Sequence, residues 1–236
     1  MNLLFNFPTL FDWIEWASFL RGQPAALLVL ATAVLITLFW DWRLALLALL
    51  TQYLAAALLF IDLLEPRLAI VKLFVGLFVC LMIYWTARQT AWRLPKPEGV
   101  WRLRLGPLTL PFTRGALLRL VGVLILTPAV MLLAPRAALR LPGLTAALAH
   151  VNLAVLGLAG LGLLALAVSR DPLPAGMGLL TFLTGFELFY SALDQSVAML
   201  IALAALNFVL ALAIAYLTQS RPASLAARYP QPAGPD

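Results

Sequence analysis

The stretch "PLPAGMGLLTFLTGFELFYSAL", residues 172–193, decides the fold class, because it is apolar enough to cross a membrane and yet contains an acid. A membrane-spanning helix needs about 20 largely apolar residues. At a rise of 1.5 Å per residue, Glu187 would lie about 9 Å inside the later end of this segment. An ionised carboxylate in hydrocarbon costs several kcal/mol unless it is paired, hydrated or protonated. Glu187 is therefore the first candidate for a functional residue.

Polar residues accompany Glu187 on its own segment. Helical spacing of three or four residues aligns Thr181, Thr184, Glu187 and Ser191 along one face, and Tyr190 is close to them in sequence. Intramembrane acids commonly take part in moving protons or ions, or in binding a cation. The alternative is a protonated Glu187 that only forms a hydrogen bond to a neighbouring helix.

The composition of the whole chain gives the same fold class. Of 236 residues, 64% are hydrophobic and 11% are charged, whereas about a quarter of a soluble domain is charged. We therefore expect an all-α polytopic membrane protein. A single cysteine, Cys80, and a single histidine exclude a disulfide framework and any multi-thiolate or multi-histidine metal site within this chain. Nothing resembles a phosphate-binding loop or a nucleophile with its base, so we expect no catalytic residue, cofactor or metal here.

Hydropathy predicts about seven transmembrane helices, arranged as three plus four. The predicted spans are residues 25–40, 44–61, 68–85, 117–134, 144–168, 172–193 and 197–217. The predicted organisation is an N-terminal interfacial segment (1–23), three helices (24–86), a basic loop (87–114), a fourth helix with an outer loop (115–143), a three-helix unit (144–217) and a short flexible tail (218–236).

The distribution of basic residues predicts the orientation in the membrane. The loop 87–114 contains a cluster of basic residues, namely Arg88, Arg93, Lys96, Arg102, Arg104 and Arg114. Basic residues in short loops favour the cytoplasmic side. We therefore expect this loop and the C-terminus inside and the N-terminus outside. Because the charge lies between hydrophobic spans, the net charge of +6 does not indicate nucleic-acid binding.

Three further polar residues are candidates for a proton pathway with Glu187. Lys72 lies about one turn inside the third predicted span, where it either faces Glu187 as a counter-charge or extends its ammonium to the headgroups. Asn207 lies near the middle of the last span, where a polar residue typically forms a hydrogen bond to another helix. His150, at the start of the fifth span, titrates near neutral pH and is either a relay group or a structural residue.

Parts of the chain resemble known families of membrane subunits. The stretches "LAGLGLLALAVSRDPLPAGMG" (158–178) and "LLTFLTGFELFY" (179–190) resemble the first two helices of subunit K of NADH-quinone oxidoreductase. The stretch "RLAIVKLFVGLFVCLMIYWTARQ" (67–89) resembles the third span of component E of group 4 membrane-bound hydrogenases, with Lys72 matching that family's lysine. Two positions depart from these families: Asn207 stands where subunit K has a second glutamate, and Leu183 stands where component E has its acid.

The resemblance implies a membrane-arm subunit of a complex I-like, group 4 hydrogenase-like or multisubunit antiporter-like complex. Such a subunit would sit in a prokaryotic cytoplasmic membrane and contribute to proton or cation translocation through Glu187. Redox centres or quinone would then belong only to partner subunits, and the partners would be the lipid bilayer and other membrane subunits, including antiporter-like large ones. Two alternatives stay open: a structural or assembly subunit, and a self-contained small transporter.

Overall fold

The computed structural model describes residues 18–39, 41–90, 101–105, 108–112, 114–136 and 139–228. Most of the predicted interfacial segment, together with Arg93 and Lys96 of the basic loop, lies outside the described residues. For Arg102, Arg104 and Arg114 only the backbone is described.

Seven apolar helices make up most of the described part of the chain. They are α1 (Gln23–Leu38), α2 (Trp42–Leu63), α3 (Pro66–Thr90), α4 (Arg114–Leu133), α5 (Ala149–Val168), α6 (Pro172–Leu193) and α7 (Val197–Arg228). Within the described residues, six of these are long and apolar enough to cross a membrane, and α1, with 16 residues, is shorter. The expected polytopic helical membrane architecture is confirmed at this level.

The structure corrects three details of the predicted organisation. A two-stranded antiparallel ribbon, β1 (Trp101–Leu105) and β2 (Leu108–Phe112), occupies part of the predicted basic loop. The alternation of leucine and arginine in β1 is typical of a strand. Helix α3 continues to Thr90, and α7 continues to Arg228 through residues predicted as tail. Alanine, leucine and arginine favour helix in that last stretch.

Consecutive helices alternate in direction, so the bundle has two ends. At one of them, hereafter the Asp62 end, α2, α4 and α6 end and α3, α5 and α7 begin. Side-chain bonds join these termini. Gln195 donates to the Leu63 carbonyl (2.6 Å), and the Asn152 amide donates to the Ala134 carbonyl (2.9 Å). The opposite end, hereafter the Arg43 end, contains the first turn of α2, where Asp41 accepts a bond from the Arg43 backbone N–H (2.9 Å).

The backbones of helices α5 and α6 approach each other closely because glycines lie between them. A Cβ on Gly162 would stand 2.5 Å from the Phe182 nitrogen, and a Cβ on Gly178 would stand 2.8 Å from the Leu166 nitrogen. Small residues allow membrane helices this close approach. The tight α5–α6 contact fixes the helix that carries Glu187 and leaves its opposite face to α2 and α7.

Candidate functional site: a buried ion pair between helices

Glu187 and Lys72 form an ion pair inside the bundle. The Lys72 Nζ lies 3.0 Å from the Glu187 Oε1, and the two side chains are only 5% and 3% exposed. Lys72 comes from the second turn of α3 and Glu187 from the later part of α6. Each lies about 9 Å from the terminus of its helix at the Asp62 end. The structure therefore places Lys72 toward Glu187 and not toward the headgroups.

A third helix closes the site through Asn207. The Asn207 Nδ2 donates to the Glu187 Oε1 (2.6 Å) and to the Leu203 carbonyl of its own helix (3.2 Å). Its Oδ1 is buried and has no hydrogen-bond partner within the described residues. A carboxamide can both donate and accept. Asn207 is thus chemically able to donate to a carboxylate or, after rotation, to accept from a protonated carboxyl group.

Two aromatic residues of α2 complete the surroundings of the pair. The Phe60 ring centroid lies 5.9 Å from the Lys72 Nζ, within the range of a cation–π contact. The Tyr53 ring lies directly against Gly76, one turn after Lys72, so any larger residue at Gly76 would collide with it. Sequence reasoning missed both aromatic residues. The polar pair Gln52–Tyr53 in the middle of an apolar helix is the signal that could have indicated Tyr53.

The predicted polar stripe on α6 is buried, with one exception. Thr181 and Thr184 donate their hydroxyl protons to the Met177 and Leu180 carbonyls of their own helix, both at 2.9 Å. Their oxygens therefore keep lone pairs that accept hydrogen bonds.

Ser191 is also buried on α6. Tyr190, by contrast, lies apart from this stripe: its ring packs beside Phe186 and its hydroxyl donates to Asp194 (3.2 Å). The reason is the helical period, since residues 187 and 190 are neighbours on the helix surface but diverge by about 60°.

His150 lies in a separate cluster at the Asp62 end. Its Nε2 is 3.1 Å from the Asp62 Oδ2, while the Asp62 Oδ1 accepts from the Arg21 guanidinium at 2.8 Å. The Asp62 and His150 side chains are 16% exposed, and that of Arg21 is 38% exposed. Asp62 follows Phe60 by two residues on α2, and Lys72 comes later, on α3. The structure therefore groups Lys72, Glu187 and Asn207 but places His150 elsewhere.

Of the six basic residues predicted for the loop, only Arg88 has a described side chain. The predicted basic surface of this loop is therefore not tested. Arg88 is exposed in the last turn of α3. Among the described side chains, no group of three or more His, Cys, Asp or Glu residues is placed to hold a metal ion.

The energetics of the pair determine what it is able to do. Two charges removed from water are tolerated only when each compensates the other, and removing one partner typically costs about 3–5 kcal/mol. The charge state of Glu187 and the position of Lys72 are therefore coupled. A proton that neutralises the carboxylate also removes the counter-charge of the ammonium group.

Comparisons with known proteins do not add a relative. The chain matches no protein-family model, no curated protein and no solved structure. The resemblance to subunit K and to component E stays a prediction from the quoted stretches, and the function has to be inferred from the ion pair and its surroundings.

Proposed function

We propose that this chain is a membrane-arm subunit of an ion-translocating complex and that Glu187 is its proton-exchanging group. The observation that carries the proposal is the buried contact of the Lys72 Nζ with the Glu187 Oε1, 3.0 Å apart and shared between two helices. Ionisable groups at membrane depth are expensive, and a functional role is the default hypothesis for them.

The proposed cycle needs only proton transfer. One proton binds a Glu187 carboxylate oxygen and yields a neutral carboxyl group. The Lys72 ammonium group loses its counter-charge and shifts toward the Phe60 ring or toward water at the Asp62 end. The Asn207 amide rotates so that Oδ1 accepts the carboxyl proton. Release of the same proton restores the ion pair, so the charge balance of the cycle is closed.

Polar groups that could form a proton pathway lie on both sides of Glu187. Toward the Asp62 end, the carboxylate is about 9 Å from the helix terminus, and the partly exposed Asp62–His150 cluster lies there. Toward the Arg43 end, Thr184, Thr181 and Tyr53 follow, and all three are buried. A proton that enters from one end would therefore leave toward the other by way of these hydroxyl groups or of water between them.

Basic residues favour the Arg43 end as the cytoplasmic side. With the predicted loop and the C-terminal segment at that end, the sequence assigns ten Lys and Arg residues to it, Arg43, Arg88 and Arg170 among them. Four arginines fall at the Asp62 end, namely Arg21, Arg67, Arg136 and Arg140, and this bias agrees with the positive-inside tendency. In this orientation the N-terminus lies outside and the C-terminus inside a prokaryotic cytoplasmic membrane.

The exposed apolar surface of α4 and α7 is consistent with a chain that packs among other membrane subunits. The spanning part of α4 is 17% buried and that of α7 is 22% buried. Leu124 on α4 and Ile201 on α7 are 70% and 66% exposed. We propose that these faces meet lipid or the helices of partner subunits, including antiporter-like large subunits, and that redox centres or quinone belong to those partners.

The test compares Glu187→Gln with Glu65→Gln, a matched change at an exposed carboxylate of the Asp62 end. Tagged complexes are first purified from the native membrane, and their partners are identified by mass spectrometry. Proton uptake into inverted membrane vesicles is then measured with a pH-sensitive dye. We expect Glu187→Gln to leave assembly intact and to abolish coupled proton uptake, whereas Glu65→Gln retains it. Unimpaired uptake in the assembled Glu187→Gln complex would overturn the proposal.

A structural role is the second candidate, and the bonding of Asn207 favours it. Glu187 links three helices through Lys72 and Asn207, which is also what a purely structural contact needs. The double substitution Lys72→Met/Glu187→Leu separates the two readings, because apolar pairs often replace buried ion pairs without loss of stability. Normal proton uptake in this double variant would establish the structural role, and loss of uptake in a fully assembled complex would exclude it.

A further inference from the structure

A large cleft opens between α2 and α3 near the Arg43 end, away from the ion pair. Its volume is about 1160 Å3, and leucines such as Leu46 and Leu77 line its body together with Cys80. Arg43 and Arg88 lie at its wall near the end of the bundle, with Trp42 and Tyr84 beside them. Ligand pockets of proteins usually measure about 300–1,000 Å3, so the cleft is large enough for an extended amphiphile.

Among the described residues, the polar end of the cleft has an excess of positive charge. Arg43 and Arg88 are both exposed, and neither forms a salt bridge with a described residue. Asp41, the single acid among the described lining residues, already accepts the Arg43 backbone N–H at the start of α2. The Arg43 guanidinium lies 5.4 Å from the Trp42 ring centroid, which holds it near the cleft.

The aromatic residues mark the depth at which this polar end lies. The ring centroids of Trp42 and Tyr84 are 6.1 Å apart and join the first turn of α2 to the end of α3. Tryptophan and tyrosine are enriched at the level of the lipid headgroups. Two cations at headgroup depth above an apolar cleft therefore match a ligand with an anionic head and an acyl tail.

We infer that this cleft binds an anionic phospholipid. Its phosphate would lie between Arg43 and Arg88, and an acyl chain would fill the body lined by Leu46 and Leu77. Guanidinium groups pair well with phosphate oxygens. A neutral or zwitterionic head would leave the net positive charge of the two arginines uncompensated. This inference is independent of proton movement at Glu187, since the two sites share no residue.

The test is native mass spectrometry of the purified full chain, titrated with phosphatidylglycerol or with phosphatidylcholine. We expect the wild-type chain to retain phosphatidylglycerol at least tenfold more tightly than phosphatidylcholine. Arg43→Gln/Arg88→Gln should weaken phosphatidylglycerol binding roughly 30-fold, because each arginine near an anionic lipid contributes about one kcal/mol. Arg67→Gln/Arg140→Gln, a matched pair of exposed arginines at the Asp62 end, should leave the affinity unchanged.

A third variant tests the acyl chain and distinguishes a lipid from free phosphate. Leu77→Trp fills the body of the cleft at an exposed position and should weaken phosphatidylglycerol binding about tenfold without touching either arginine. Millimolar inorganic phosphate should not displace the lipid. Equal retention of the two lipids, or unchanged binding in the arginine double variant, would overturn the inference. Full displacement by inorganic phosphate would also overturn it, because the site would then be one for phosphate alone.

Discussion

Helices α4 and α6 are similar in length but opposite in environment. The spanning part of α6 has a mean hydropathy of 1.3 and is 61% buried, whereas that of α4 has a mean hydropathy of 2.3 and is only 17% buried. The less hydrophobic helix is thus the one that neighbouring helices cover. In a bilayer the outside of a protein is as apolar as its core, so polar residues mark the helices that lie inside. Glu187 is on α6 because only the interior supplies it with Lys72 and Asn207.

The largest loss of stability is expected for Lys72→Met, a change inside the buried part of the bundle. It leaves the Glu187 carboxylate buried without a counter-charge, and we expect a loss of about 3–5 kcal/mol of unfolding free energy. For a chain of this length that corresponds to a fall of roughly 10 °C in the apparent melting temperature in detergent. The double variant Lys72→Met/Glu187→Leu should recover most of this loss. Equal melting temperatures for wild type and Lys72→Met would mean that Glu187 is already neutral.

The second change is Gly162→Ala at the close contact of α5 and α6. The added Cβ would meet the Phe182 backbone at 2.5 Å, and a backbone atom has no room to yield. We expect a loss of about 2 kcal/mol. The matched variant on the exposed helix is Gly122→Ala, whose Cβ would meet only the flexible end of Leu164. Denaturation by a graded detergent series measures both, and an equal effect of the two variants would contradict the described α5–α6 packing.

A smaller effect is expected for Asn207→Leu. It removes the 2.6 Å bond to Glu187 but leaves the ion pair in place. Interhelical hydrogen bonds in membranes average about 0.6 kcal/mol, so we expect a loss of roughly that size. The control is Gln219→Ala, at an exposed polar residue of the same helix. A loss as large as that of Lys72→Met would show that Asn207, and not Lys72, is the main partner of the carboxylate.

The smallest effect should come from Leu124→Ala on the outer face of α4. Leu124 is 70% exposed, and substitutions away from packed sites usually change stability by less than about 0.5 kcal/mol. Leu180→Ala, at a fully buried position of α6, is the contrasting change. If Leu124→Ala lowered the melting temperature of the isolated chain as much as Leu180→Ala, the assignment of α4 as an outer helix would be wrong.

Much of the fold was predictable from hydropathy, because long apolar segments in a membrane chain leave few alternatives to helix. The ends of the helices were less predictable. The beginning of α5 moves from the predicted residue 144 to Ala149, because a turn at Gly143 (φ 83) and a short 3-10 turn at Ala146–Leu148 come first. The β1–β2 ribbon was missed because the prolines of that region indicated a loop.

The candidate site was partly predictable for a physical reason. Charged groups in apolar segments are rare, so Glu187 and Lys72 stood out in the sequence, and the structure brings them together. Hydropathy contains no information on which helices are neighbours, and so the separation of His150 from this pair and its contact with Asp62 were not predictable. Tyr53 and Phe60 were missed because aromatic residues are common on apolar helices.

The lengths of α1 and α7 differ in a way that bears on movement within the bilayer. Helix α1 spans about 24 Å, less than the roughly 30 Å of hydrocarbon, whereas the apolar part of α7, Val197–Ser220, spans about 36 Å. Hydrophobic mismatch therefore favours local thinning of the bilayer around α1, whereas the surplus apolar length of α7 favours a tilt of that helix. A slide of a single residue displaces Asn207 by about 1.5 Å, which is enough to break its bond to Glu187. A change in bilayer thickness that shifted α7 by this distance would therefore alter the environment of the buried carboxylate.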